Sequence, residues 1–138
     1  NVKSDAQIII ARAAIETGDE AKAKVAYAKV LAIAKGELAA EALYYDAYFK
    51  NKEGKFEASN AAVQKIAKNY SSYKYFGAKG LILMAKNFYG LKDSYQATYI
   101  LENIIQNFTD YPDVVSEAKT ELNAIKTEEA KTNSSITK

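Results

Sequence analysis

Short turns divide this sequence into seven stretches that have the apolar spacing of amphipathic helices. Glycine marks four of the turns, at Gly18, Gly36, Gly54 and Gly90. The one proline, Pro112, suits the first turn of a helix. The alternation of polar and β-branched apolar residues that marks half-buried strands is rare. Because helices joined by two to five residues pack as antiparallel neighbours, the sequence predicts an all-α array of helical hairpins.

The predicted helix boundaries follow from capping signals. Ser4 with Gln7 and Asp93 with Gln96 have the spacing of capping boxes, and Gly36 suits the end of the second helix. We predict helices over residues 4–17, 20–34, 37–52, 55–69, 73–89, 94–107 and 112–126. One domain, residues 4–126, would contain repeats of about 4–35, 37–70 and 73–108 and a capping helix at 112–126. Residues 127–138 are small, polar or charged, and we expect a disordered tail there.

Composition excludes several classes of function. The chain has 138 residues and contains no cysteine, histidine or tryptophan, so disulfides, thiolate or imidazole metal sites and histidine-activated nucleophiles are ruled out. The best apolar run, residues 81–85, is far shorter than the roughly 18 residues of a membrane span. We therefore expect neither an enzyme nor a cofactor or metal site, and no membrane span.

Charge is unevenly distributed along the chain. Nine lysines against two glutamates give residues 50–92 a charge of +7, whereas residues 93–138 carry −4. Arg12 is the single arginine, and lysine is the weaker residue for bidentate contacts to phosphates and base edges. The basic middle third therefore favours an acidic protein or peptide over nucleic acid.

Internal similarity defines the repeat. Gly18, Gly54 and Gly90 are evenly spaced by 36, but that register puts Glu102 in a core column. Moving the third turn to Lys92 places a small or apolar residue in every column. The three copies then read Ala11-Gly18-Ala23-Tyr27-Val30, Ala47-Gly54-Ser59-Val63-Ile66 and Ala85-Lys92-Ala97-Leu101-Ile104. Small residues seven positions before each turn would let two helices approach closely.

This order of small, turn, small, bulky and apolar positions resembles the tetratricopeptide repeat (TPR) over residues 5–126. The spacings of 36 and 38 exceed the usual length of about 34, and no proline follows the second helices. A bulky position of the family holds Gln7, Leu43 and Leu81. Sel1-like and pentatricopeptide arrays have similar periods and stay open as alternatives. In its short turns the chain resembles multi-repeat TPR proteins of Gram-negative bacterial envelopes.

That resemblance carries further expectations. It favours a periplasmic or outer-membrane-associated location, with the cytoplasm left open, and it implies that the chain is the C-terminal part of a longer array. It also implies a superhelix whose concave groove, lined by the first helix of each hairpin, binds a partner protein. Carried over to this sequence, the groove positions are Ile8, Arg12, Ile15, Tyr44, Tyr48, Asn51, Lys79, Ile82, Lys86 and Tyr89.

Tyrosine and lysine together favour an acidic or carboxylate-bearing peptide. The carboxylate clamp found in part of the family is disfavoured here, because only Lys79 falls on a matching position. Any single tyrosine in such a fold more often seals the boundary between core and water than binds a partner.

Other readings of the sequence remain open. The apolar residues Ile8, Ile9 and Ile10 form an N-terminal edge that favours self-association. A basic and aromatic set could grip single-stranded nucleic acid, although a solvated surface explains it better: Lys65, Lys68, Tyr70, Tyr73, Lys74, Tyr75 and Lys79. Acidic pairs at helical spacing read as exposed faces rather than acid–base dyads: Glu37/Glu41, Glu53/Glu57 and Glu117/Glu121. Gly77 and Gly80 are interpreted as close-packing positions or as a weak point at the start of the fifth helix, and Gly90 as a local helix end.

Overall fold

A computed structural model describes residues 2–137, with side chains described through residue 134. Within this range the chain forms seven helices and no strand. They are α1 (Val2–Glu16), α2 (Glu20–Ile33), α3 (Gly36–Lys52), α4 (Phe56–Asn69), α5 (Lys74–Gly90), α6 (Ser94–Asn107) and α7 (Pro112–Thr137). The predicted all-α fold is therefore confirmed.

The helices pack as three successive hairpins, α1/α2, α3/α4 and α5/α6, and α7 packs on α6 and α5. Each hairpin also packs on the next through its second helix, so that α2 contacts α3 and α4 contacts α5. The core follows this order as three clusters rather than one centre, with a cluster at each hairpin and the third extending to α7. This arrangement is that of a helical repeat array.

The small residues of the repeat columns lie in the interior of the array. All of them are fully buried: Ala11, Ala23, Ala47, Ser59, Ala85 and Ala97. In the second hairpin, the Ser59 hydroxyl donates a hydrogen bond to the Ala47 carbonyl at 2.7 Å, which joins the two column positions directly. A side chain larger than serine at either position would force α3 and α4 apart.

The backbone conformations of the turns agree with the shifted repeat register. Gly18, Gly54 and Lys92 have left-handed backbones, with φ of +78°, +77° and +69°. These are the positions that the shifted register makes equivalent. Gly90 is instead the last residue of α5, and a Cβ built on it would lie 2.6 Å from ring atoms of Phe56. Gly90 is therefore a contact between α5 and α4, not only a local helix end as interpreted from the sequence.

Most helix ends lie within one residue of the prediction, and the differences that matter concern Ser4, Gly36 and the end of α7. Ser4 does not cap α1 but lies inside it, 2% exposed, and Gly36 begins α3 instead of capping α2. The helix α7 continues to Thr137, past the predicted end near residue 126, so residues 127–137 are helical where a disordered tail was expected. No glycine or proline follows Pro112, and Glu128 forms an ion pair with Lys131 at 3.5 Å. The Glu128 carbonyl oxygen also accepts a hydrogen bond from the Thr132 hydroxyl at 3.1 Å. Lys138 lies outside the described residues.

Candidate partner groove

The first helices of the second and third hairpins form one layer with α7. Among the described residues α3 packs on α5 and α5 on α7, whereas α2, α4 and α6 do not pack closely on one another. An ion pair between Arg12 and Glu41 connects α1 to α3. We call the accessible side of α1, α3 and α5, which includes Arg12, Tyr45, Tyr48 and Lys52, the inner face.

At the α1–α3 junction the polar contacts centre on Glu41, which is 6% exposed. Arg12 donates two hydrogen bonds to it, from Nε to Oε2 at 3.0 Å and from Nη2 to Oε1 at 2.6 Å. The Tyr27 hydroxyl donates a third at 2.8 Å. The bond to Glu41 raises the pKa of Arg12, and burial together with that carboxylate raises the pKa of Tyr27. Glu41, interpreted from the sequence as part of an exposed acidic face, is thus a buried junction residue.

The middle of the inner face is aromatic. Tyr45 stacks on Tyr27 with ring centroids 4.2 Å apart, and Tyr48 meets it edge-on at 5.7 Å. The Tyr48 hydroxyl donates to Glu20 at 3.1 Å, and the Lys52 ammonium lies 5.3 Å from the Tyr48 ring. Tyr45, Tyr48 and Lys52 share a face with Glu41 because they recur every three or four residues along α3. The carried-over groove positions had missed Tyr45 and Lys52.

Two residues expected in the groove belong to the α3–α5 junction instead. Tyr44 is 6% exposed and packs in the second-hairpin core. The Lys79 ammonium covers it, 4.8 Å from the ring, and also lies 5.7 Å from the Tyr75 ring. Burial raises the pKa of Tyr44. Lys79 is therefore engaged with two aromatic rings at this junction.

Asn51 belongs to a polar network that no sequence signal indicated. Its side-chain amide donates to Asn87 Oδ1 at 2.8 Å, and the Asn87 side-chain amide donates to Ser59 Oγ and Asn60 Oδ1, both at 2.8 Å. Asn87 is completely buried. The network joins α3, α4 and α5, so Asn51 positions helices.

Acidic residues of α7 contact the α5 part of the inner face. The Tyr75 hydroxyl donates to Asp113 at 2.7 Å, and the Lys86 ammonium lies 3.7 Å from Glu121. The bond to Asp113 raises the pKa of Tyr75 to about 12 and lowers that of Asp113. Tyr89 packs against the core cluster of the third hairpin. Of the lysines on α5, Lys86 therefore has a counter-charge within the chain.

The remaining predicted groove residues divide between core and surface. Ile8 and Ile82 are buried, and Ile15 packs against the core of the first hairpin. The basic and aromatic set considered for nucleic acid does not form one open surface either, since Tyr75 and Lys79 have the intramolecular partners given above.

The described residues contain no group of three carboxylate, thiol or imidazole side chains that could hold a metal ion. No helix between residues 2 and 137 has the length and apolarity that a membrane crossing requires. A scan against protein-family models found no match, and a search of curated proteins found none.

Proposed function

We propose that this chain is a TPR-like interaction scaffold that holds a segment of a partner protein on its inner face, over α1 and α3. The observation that carries the proposal is the partly buried pair Tyr45 and Tyr48, flanked by the exposed cations Arg12 and Lys52. The α5 part of the face contributes less, because Glu121 of α7 already pairs with its Lys86.

The chemistry of these four residues favours an acidic peptide. Tyr45 and Tyr48 offer flat apolar area with a polar tip, at a small cost in side-chain entropy. Arg12 is held rigid by Glu41, yet its side chain is 54% exposed. Its two bonds to Glu41 use two of its five guanidinium N–H groups, so three are left to meet a partner carboxylate or carbonyl.

Charge reversal on the inner face tests this proposal. We expect Lys52→Glu to weaken capture of the native partner about three- to tenfold and to reduce the salt dependence of binding. The matched control is Lys65→Glu, which reverses an exposed lysine on α4, outside the inner face. Binding measured by titration of the purified partner should be unaffected by the control. Equal effects of the two reversals, or none from Lys52→Glu, would refute the inner-face site.

Self-association is a second candidate, and the repeat positions themselves favour it. Val2 and Ile9 on α1 are 85% and 67% exposed. In the repeat register, Val2 corresponds to Leu38 in the second hairpin, thirty-six residues later, and to Phe76 in the third, thirty-eight residues after that. Leu38 and Phe76 each pack against the core of the preceding hairpin. Those equivalent to Ile9 are Tyr45 and Leu83, which pack the same way. A further helical hairpin, from a second copy of the chain, would cover Val2 and Ile9 similarly.

Sedimentation of the purified chain over a concentration series distinguishes this candidate. We expect a reversible dimer that Ile9→Glu converts to monomer, because a buried unpaired carboxylate is strongly disfavoured. Val25→Glu places the same charge on another exposed apolar residue, 57% exposed on α2, and should leave the dimer intact. A wild-type monomer at every concentration would exclude the self-association candidate and leave the inner-face proposal standing.

A further inference from the structure

A pocket of about 460 Å³ opens between the end of α4, the first half of α5 and the turn between α6 and α7. Val63, Ile66 and Leu81 contribute aliphatic lining. Four aromatic rings complete most of the wall: Tyr70, Tyr73, Phe108 and Tyr111. The volume lies within the range of about 300 to 1,000 Å³ that is usual for small-molecule sites. None of the inner-face tyrosines or lysines lines this pocket, so it is separate from the partner groove.

Gly77 opens the wall of this pocket. A glycine inside a helix is about 1 kcal/mol less favourable than alanine, so its presence requires a reason. The other two glycines of α5 have one, because a Cβ would lie 3.2 Å from Val63 at Gly80 and 2.6 Å from Phe56 at Gly90. A Cβ at Gly77 would meet no atom within 4 Å. A side chain at position 77 would therefore extend into the pocket, which Gly77 lines.

The preceding hairpin is closed at the corresponding position. Ala39 lies thirty-eight residues before Gly77, at the same repeat position in α3, and is 1% exposed. An alanine is therefore compatible with this position of the repeat, and its replacement by glycine in α5 coincides with the pocket. The repeat does not itself demand the opening.

The lining indicates the class of ligand. Most of the wall is aromatic or aliphatic, and the rim carries one cation, Lys74, and one carboxylate, Asp110, both exposed. Because the rim carries one positive and one negative charge, it favours neither an anionic nor a cationic ligand. Aromatic rings on several sides of the pocket favour a flat apolar ligand. We propose that this pocket binds a small uncharged molecule built on aromatic or alicyclic rings.

Two dyes with the same ring system test the proposal on the full chain. N-phenyl-1-naphthylamine is uncharged, and 8-anilinonaphthalene-1-sulfonate adds a sulfonate to the same rings. We expect saturable, single-site fluorescence enhancement by the neutral dye and weaker binding of the sulfonate. Gly77→Leu places a side chain in the pocket from α5 and should weaken binding of the neutral dye at least about tenfold.

Ala67→Leu fills the same pocket from α4, and it decides the question if Gly77→Leu does not fold. Ala61→Leu adds the same side chain at an exposed position of α4 that does not line the pocket, and should bind the dye as the wild type does. Circular dichroism verifies that each variant is folded. Unsaturable binding, or undiminished binding by a folded pocket-filled variant, would overturn the site. Tighter binding of the sulfonate, weakened by Lys74→Ala, would overturn the assignment of an uncharged ligand.

Discussion

Lys92 adopts a left-handed backbone conformation that side chains with a Cβ rarely take. Within residues 2–137 it is the one non-glycine residue with positive φ. The two earlier turns place Gly18 and Gly54 at the same position, where the absence of a Cβ removes the strain. The third turn keeps the geometry of the repeat without its preferred residue, which explains why evenly spaced glycines mark the wrong register.

Replacing Lys92 by glycine should therefore stabilise the fold. We expect Lys92→Gly to raise the free energy of unfolding by about 1 kcal/mol, since relief of left-handed strain exceeds the added flexibility of the unfolded chain. The comparison is Lys119→Gly, an exposed residue inside α7, which should lower stability by about 1 kcal/mol. Urea unfolding followed by circular dichroism measures both. Destabilisation by Lys92→Gly would show that the turn depends on the lysine side chain.

At the scale of helices, neighbouring hairpins are joined by different kinds of contact. The first junction uses the ion pair of Arg12 with buried Glu41. The second uses the amide network around Asn87, together with Lys79 over Tyr44. Amide groups can satisfy their hydrogen bonds without the desolvation cost of buried charges. The polar contacts of the second junction therefore form at a lower desolvation cost than the ion pair of the first.

Loss of the central amide should loosen three helices together. We expect Asn87→Leu to lower the free energy of unfolding by about 1 to 3 kcal/mol, because the side chains of Asn51, Ser59 and Asn60 each lose a partner. Asn103→Leu makes the same replacement at an exposed position of α6 and should change stability by less than about 0.5 kcal/mol. Urea unfolding of the two variants gives the comparison. Similar small effects would mean that the network contributes little.

At the scale of the whole molecule, tyrosines lie at the successive contacts between hairpins and at the contact with α7. Tyr27 lies at the junction of the first two hairpins, Tyr44 at the contact of α3 with α5, and Tyr75 at the contact of α5 with α7. Each of the three has a raised pKa, through burial for Tyr27 and Tyr44 and chiefly through the Asp113 bond for Tyr75. Their ionisation is therefore linked to disassembly of the array.

Stability should consequently fall at alkaline pH. A pKa that is higher in the folded chain contributes stability that is complete below the unfolded value, about 10 for tyrosine. For Tyr75 this stability is lost as pH rises through about 12. Absorbance of tyrosinate and circular dichroism should change together, and no tryptophan obscures the signal. Lysine side chains also titrate in this pH range, so Tyr75→Phe is needed to isolate the contribution of Tyr75. This variant should lose less stability than the wild type between pH values of about 10 and about 12. Ionisation of all eleven tyrosines with the helices intact would contradict the linkage.

The sequence alone determined the helices, the hairpin order and the repeat columns, because these depend on interactions between residues close along the chain. Alanine columns and turn positions identified where helices approach, including the third turn at Lys92. The end of α7 was less predictable, because a polar helix without a stop signal has no apolar stripe to define its length.

Only the tertiary structure decided which side chains face the groove. Tyr44 and Tyr45 are neighbours in sequence, yet about 100° of helical rotation buries the first and leaves the second on the inner face. The acidic side chains that neutralise Lys86 and meet Tyr75 come from α7, more than thirty residues away. The packing of three helices decided that Gly77 opens a pocket while Gly80 closes a contact. These outcomes depend on distances between segments that are remote in the chain, and local sequence patterns do not encode those distances.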